Sequence, residues 1–170
     1  KRKFDDFRKK FLTLTDNTYT SAEELRATPP QADLYIAGSD QIWNTACENG
    51  KDAAFYLDFG SDDTRRISYA ASFAVSEIAH AYRAFVTKKL QRFDAISVRE
   101  QTGVRIIRDL SVGRTAEQVE DPVFLLNRQS WEEISADITP QERYVLVYDF
   151  SNDPTIREHA RQIARQLGAR

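Results

Sequence analysis

The densest group of polar hydrogen-bonding side chains in the chain is Gly38-Ser39-Asp40-Gln41-Ile42-Trp43-Asn44. It follows Asp33–Ala37, an apolar run that reads as a buried strand. A glycine at such a strand end lets a ligand approach the backbone, and free N–H groups beside Ser39 can hold an anion or a hydroxyl. Neither the glycines of a phosphate loop nor those of a dinucleotide fingerprint are present. A structural role is equally open, in which Ser39 or Asp40 caps a helix and Trp43 packs the core.

Other strand ends carry fewer candidates. Ser72 follows Tyr69-Ala70-Ala71, whose small side chains leave room for a ligand, and with no histidine nearby it reads as a hydrogen-bond donor rather than a nucleophile. Arg99 and Glu100 form either an ion pair that locks a loop or an anion clamp beside a general base. Asp121, before Pro122, either satisfies turn N–H groups or orients Arg99. His80 and His159 fall on predicted helices without a carboxylate-rich cluster, so no metal site is expected. Cys47 reads as a packing residue.

The elements that must position these residues alternate. Strands are expected at Asp33–Ala37, Arg66–Ala71, Ala95–Val98 and Arg143–Phe150, with a shorter one over Val119–Leu126 broken at Asp121-Pro122. Between the second and third, Ile78, Tyr82, Phe85, Val86, Leu90 and Phe93 follow a helical period. A further helix runs from Gln101 to Leu110, and another begins at Asp153-Pro154 and ends at Gly168. Ser21 with Glu24, and Ser130 with Glu133, have capping-box spacing, and Pro29-Pro30 stop the first of those helices. Phe4, Phe7 and Phe11 form an aromatic stripe on an amino-terminal helix; docking on a sheet is expected, with a membrane-surface helix as the alternative. Alternation of this kind implies a Rossmann-like, mostly parallel sheet with helices on both faces, and ligands bind beyond the carboxyl ends of its strands. The polar stretch Ser135–Glu142, containing Pro140, reads as a linker. It divides residues 1–139, an amino-terminal domain, from residues 140–170, the first βα unit of a second one.

Composition narrows the class. The 170 residues, 41% hydrophobic with ten Phe and seven Tyr, suffice for one buried core. A net charge of −2 gives no field favouring nucleic acid or anionic lipid, so any anion site must be local. One cysteine excludes a disulfide framework, and no apolar run reaches the roughly 18 residues of a membrane span, so a cytoplasmic location is expected. The chain has no methionine and reads as part of a longer protein.

Taken in order, Gly38–Asn44, Tyr56-Leu57-Asp58-Phe59, Ile67–Phe73, Ile96-Ser97-Val98-Arg99-Glu100 and Asp121–Leu126 closely resemble the polysaccharide pyruvyl transferase family. The resemblance is firmest from Asp33 to Leu126. It implies one half of a GT-B-like enzyme, with two Rossmann-like domains facing a cleft. Such enzymes move pyruvate from phosphoenolpyruvate to two hydroxyls of a sugar as a cyclic ketal, in bacterial surface-polysaccharide biosynthesis, without a cofactor. It further implies Asp40 and Glu100 as catalytic residues, Asp40 being the base. Gly38, Ser39, Gln41, Asn44, Ser72 and Arg99 would bind substrate. The acceptor would be nucleotide- or lipid-linked and could bring the protein to a membrane; no nucleic acid is implied. Two departures stand out: the family's opening strand with its Asn-Tyr-Gly type loop is absent, and position 74 is Ala where the family commonly has glycine. The family's basic donor-binding residues lie mainly in the second domain, so residues 1–170 alone are expected to be inactive. A glycosyltransferase using a nucleotide-sugar donor, or a non-catalytic carbohydrate-binding domain, are the other readings of the same fold.

Overall fold

A computed structural model describes residues 2–135 and 142–170, which fall into two compact units, Lys1–Leu126 and Asn127–Arg170. Residues 136–141 of the expected Ser135–Glu142 linker, and with them the boundary near residue 140, lie outside the described residues.

In the first unit the order is α1 (Arg2–Phe11), α2 (Ala22–Ala27), β1 (Leu34–Ala37), β2 (Arg65–Ser68), α3 (His80–Leu90), β3 (Ile96–Val98), α4 (Gln101–Asp109) and β4 (Ala116–Gln118). β1 pairs with β2 and β3 with β4, both in parallel, with Leu34 opposite Arg65 and Ile96 opposite Ala116. Parallel bridges at Ile67–Ala95 and Ala71–Val98 join β2 to β3, so the strands follow one another in chain order. The unit is therefore an α/β fold with parallel pairing, as alternation predicts.

Period-two burial sets the core. Tyr35 and Ala37 of β1 and Ile96 and Val98 of β3 are buried with Val86 and Leu90 of α3 and Ile106 and Ile107 of α4, whereas Leu34 and Ile36 are exposed. Trp43, fully buried, stacks on Tyr56 at 5.8 Å, meets Phe93 edge-on at 5.5 Å, and donates its indole N–H to the Phe55 carbonyl at 3.0 Å. Gly103 lets α4 lie against β3, because a Cβ there would meet Val98 at 3.0 Å. Among the described residues, no helix is long and apolar enough to cross a membrane.

A charged knot fastens the periphery. Asp58 takes Arg26, beyond whose helix α2 lie the stopping prolines, at 2.9 Å, Lys89 of α3 at 2.5 Å, and also Arg92. Burial alone would raise the Asp58 pKa, but hydrogen bonds from Lys89, Arg26 and Arg92 outweigh it and hold the carboxyl at about 2. Its folded-state pKa thus lies below the ordinary value of about 4, so the stabilisation is complete above that pH and disappears as pH falls toward 2. Asp58→Asn is expected to lower the melting temperature at neutral pH and to flatten the loss of stability between about pH 4 and pH 2. A pH series of thermal melts checks this; an unchanged acid profile would remove Asp58 from the account.

Several expected elements differ. Phe4, Phe7 and Phe11 do not dock on the sheet: they are 77%, 40% and 39% exposed, and Phe7 and Phe11 pack on each other at 4.9 Å. Helical spacing decides which face is aromatic but supplies no surface to receive it. The strand expected over Val119–Leu126 is displaced to β4, and Pro122–Leu125 forms a 3-10 turn, because Asp121 caps it through Val123 N–H and Pro122 fits the first helical position. The Ser21 cap forms, accepting from Glu24 N–H at 3.2 Å, and the Glu24 carboxylate reaches back chiefly to Thr20, at 2.7 Å from its N–H and 2.8 Å from its hydroxyl. Cys47 is exposed rather than packed, since the turn after Asn44 points it outward.

The second unit contains α5 (Arg128–Ile134) and α6 (Pro154–Leu167). Asn127, one turn earlier than the expected Ser130, caps α5 by accepting from Ser130 N–H at 2.9 Å. Asp153-Pro154 opens α6 and Gly168, at φ +56°, closes it, as the sequence predicts. Arg143–Phe150 is not a buried strand: Leu146, Tyr148 and Phe150 are 79%, 84% and 87% exposed, and the backbone bonds made there run between Arg143 or Val145 and Arg170. A β-forming run becomes a strand only where another strand pairs with it.

Candidate functional site

The carboxyl ends of the four strands meet in one polar rim. After β1 come Gly38, Ser39 and Asp40; after β2, Ala71 and Ser72; after β3, Arg99 and Glu100; after β4, Asp121. Asp40 and Ala71 are bridged in parallel, Ser72 N–H donates to Asp40 O at 3.0 Å, and Arg99 N–H donates to Ala71 O at 3.1 Å, so the three strand ends are tied through their backbones.

Below the rim the ladder is completed by serines. Ser68 Oγ donates to Ser97 O at 2.9 Å and accepts from Ser97 N–H at 3.0 Å, while Ser97 Oγ donates to Ser68 O at 2.8 Å and accepts from Ala70 N–H at 3.2 Å. These side-chain bonds add to the backbone bonds from Ser68 N–H to Ala95 O at 3.1 Å and from Ala71 N–H to Ser97 O at 3.3 Å. Small serines within Ile67–Ser72 and Ile96–Val98 were the available signal for this stitching.

Two side-chain clusters stand on that base. In the first, Asp121 Oδ2 accepts from Ser39 Oγ and from Arg99 Nη1, each at 2.9 Å, and Asp121 Oδ1 accepts from Val123 N–H at 3.0 Å. The Val123 N–H, Arg99 and Ser39 hold the Asp121 carboxyl below the usual carboxylate range. Arg99 therefore pairs with Asp121, as one of the two roles read for that carboxylate has it, rather than with its neighbour Glu100, because adjacent residues at a strand end point to different sides. In the second cluster, Ser72 Oγ donates to Glu100 Oε1 at 2.5 Å, and Ala74 N–H lies 3.2 Å from the same oxygen. Glu100 Oε2 is sealed from solvent.

The polar loop after β1 is not a helix start, so neither Ser39 nor Asp40 caps one. It is a chain of turns in which Asn44, 7% exposed, donates to Gln41 Oε1 at 3.0 Å and accepts from Ala46 N–H at 3.0 Å. Gly50 permits this, since a Cβ there would fall 2.2 Å from the Asn44 carbonyl. Ser72 is likewise buried, at 1%. Asn44 and Ser72, expected to contact substrate, thus have their polar groups engaged inside the protein. Gly38, Asp40 and Gln41 are exposed, Ser39 is half-buried, and the Asp40 carboxylate makes no hydrogen bond among the described residues.

Backbone strain gathers at the same place. Asp40, Ala70 and Ala74 all have positive φ, at +83°, +53° and +49°. Outside glycine this conformation costs roughly 1–2 kcal/mol, and it persists where surrounding bonds hold it. At position 74 the left-handed turn forms with alanine in place of the glycine expected from the resemblance.

The site therefore presents an exposed carboxylate, a half-buried hydroxyl, an open glycine backbone and a guanidinium already neutralised by Asp121. That set accepts and donates hydrogen bonds to hydroxyls and can take a proton. Compared with known proteins, residues 1–170 match the family model described as polysaccharide pyruvyl transferase. No curated protein and no solved structure matches the chain.

Proposed function

The chain belongs to the polysaccharide pyruvyl transferase family, and from that premise we propose that it takes part in moving pyruvate from phosphoenolpyruvate to a sugar diol as a cyclic ketal. The observation that supports this reading best is the convergence of Ser39, Asp40, Arg99 and Asp121 beyond the carboxyl ends of parallel strands. The unit would be one Rossmann-like half of a GT-B-like enzyme of bacterial surface-polysaccharide biosynthesis, working in the cytoplasm.

The balance of charge supports an acceptor-binding role for this rim. Phosphoenolpyruvate carries carboxylate and phosphate and calls for unpaired Arg, Lys or His groups. Arg99 is held by Asp121, and Asp40 adds a further negative charge, so this rim favours the neutral hydroxyls of the acceptor. Gly38, Ser39, Asp40 and Gln41 contact the sugar, with Asn44, Ser72 and Arg99 fixing the loops that carry them. The sugar would be nucleotide- or lipid-linked.

In the reaction the methylene carbon of the donor gains a proton and the adjacent carbon becomes cationic. One sugar hydroxyl adds there, giving its proton to Asp40, and the second hydroxyl displaces phosphate, closing the ketal. Two hydroxyl protons leave the diol; one balances the new methyl group and the other departs with phosphate. The test is release of inorganic phosphate from phosphoenolpyruvate by the intact enzyme, rather than by residues 1–170 alone, with and without sugar diols. Release that depends on the diol is expected. Consumption of a nucleotide sugar instead, or acceptor binding without phosphate release, would overturn the reading.

A further inference from the structure

We infer that Glu100 is a positioning residue that holds Asp40 through the Ser72 turn and does not itself touch substrate. The inference rests on the reading of Asp40 as the proton acceptor.

Two backbone bonds bracket the Asp40 loop, and both end on Ser72: Ser72 N–H donates to Asp40 O at 3.0 Å and Trp43 N–H donates to Ser72 O at 3.1 Å. Whatever fixes Ser72 therefore fixes the direction in which Asp40 projects. The side chain that fixes Ser72 is Glu100, whose Oε1 accepts from Ser72 Oγ at 2.5 Å and lies 3.2 Å from Ala74 N–H. Ala74 N–H also lies 3.1 Å from Ser72 Oγ, which closes a three-membered hydrogen-bonded ring.

The conformations involved need such a clamp. Asp40 and Ala74 sit at φ +83° and +49° on either side of Ser72 in this network. Such residues are kept where neighbouring bonds over-determine them. Glu100 is poorly placed to exchange a proton with substrate, because Oε1 is engaged inside the protein and Oε2 has no accessible surface. Asp40, by contrast, is exposed. Of these two carboxylates, Asp40 faces outward and Glu100 holds it in place.

The test compares Glu100→Ala with Glu100→Gln in the intact enzyme; the Gln amide oxygen still accepts from Ser72 and Ala74. Glu100→Ala is expected to lower kcat roughly 30–100-fold while KM for phosphoenolpyruvate stays within about threefold, the pattern of misplacing a catalytic group without losing ground-state binding. Glu100→Gln should stay within about fivefold of the parent, because the hydrogen bonds that position Ser72 survive. Amide hydrogen exchange reads the same claim without activity: Ser72 and Trp43 should exchange at least about tenfold faster in the Ala variant and remain slow in the Gln variant. Should Glu100→Ala fail to fold, Ser72→Ala cuts the same link from the other side and is expected to show the same faster exchange at Trp43.

Equal inactivity of the Gln and Ala variants with unchanged exchange would make Glu100 a chemical participant and overturn the inference. Full activity and slow exchange in Glu100→Ala would overturn it too, by showing that Glu100 neither acts nor positions. A protein that never consumes phosphoenolpyruvate defeats the functional reading, while the exchange comparison still decides whether Glu100 holds the Asp40 loop.

Discussion

Asp40→Asn in the intact enzyme is expected to cut turnover roughly 10²–10⁴-fold, the usual contribution of a positioned base, with little change in melting temperature. The substitution keeps size and shape and removes only the capacity to take a proton. Asn tolerates the left-handed backbone at φ +83° as well as Asp does, so the loop geometry survives. Nothing in the described protein depends on the charge, because the carboxylate makes no hydrogen bond there. Alanine would be a poorer probe, since it would strain the backbone at the same time. Steady-state kinetics with saturating donor and acceptor, beside a thermal melt, check the expectation. Turnover equal to the parent's would take Asp40 out of the chemistry and leave the rim a binding surface.

Arg66→Met is expected to destabilise the first unit by about 3–5 kcal/mol, the scale of breaking a buried charge's network. Arg66 is 1% exposed and lies below the Tyr35 ring, with its guanidinium carbon 5.7 Å from the ring centre. It donates to the carbonyls of Leu57 at 2.9 Å, Thr64 at 2.6 Å, Phe59 at 2.6 Å and Ser61 at 2.8 Å. Methionine fills similar volume but leaves those four carbonyls without their donor, each charge-assisted bond being worth roughly 1.5–3 kcal/mol before the loop relaxes toward water. The loop so released carries Asp58, so the ties to Arg26 and Lys89 loosen as well. Lysine should rescue little, because one ammonium cannot reach four carbonyls spread around a planar fork. Urea denaturation measures the loss; a change below about 1 kcal/mol would show that solvent replaces the guanidinium without penalty.

Arg66 also shows where sequence reading stops. It lies inside a strand legible from Ile67 and its neighbours, yet nothing local marks an arginine in a β-run as buried. Its four acceptors belong to a loop that has to fold back over it. Arg99 is a similar case. Its place at a strand end was readable, but the choice between Glu100 next to it and Asp121, 22 residues away, depended on the register of β3 against β4. Ser39 and Asp121 meet across 82 residues of sequence. No spacing rule reaches that far.

What the amino-acid order determined unaided were features governed by short-range physics. These are the helical periods of α3, α4 and α6, the Asp153-Pro154 start and Gly168 stop, the parallel α/β class, and the strand ends at which polar residues collect. Each follows from neighbours within a turn or two, through side-chain period, capping or backbone preference. The tertiary structure alone decided that Arg143–Phe150 finds no partner strand among the described residues, that the Phe4 stripe lies open, and that Asp40 is exposed while Glu100 Oε2 is sealed. Pairing, burial and the direction of a carboxylate are set by groups distant in the chain, which only the folded backbone brings within hydrogen-bonding reach.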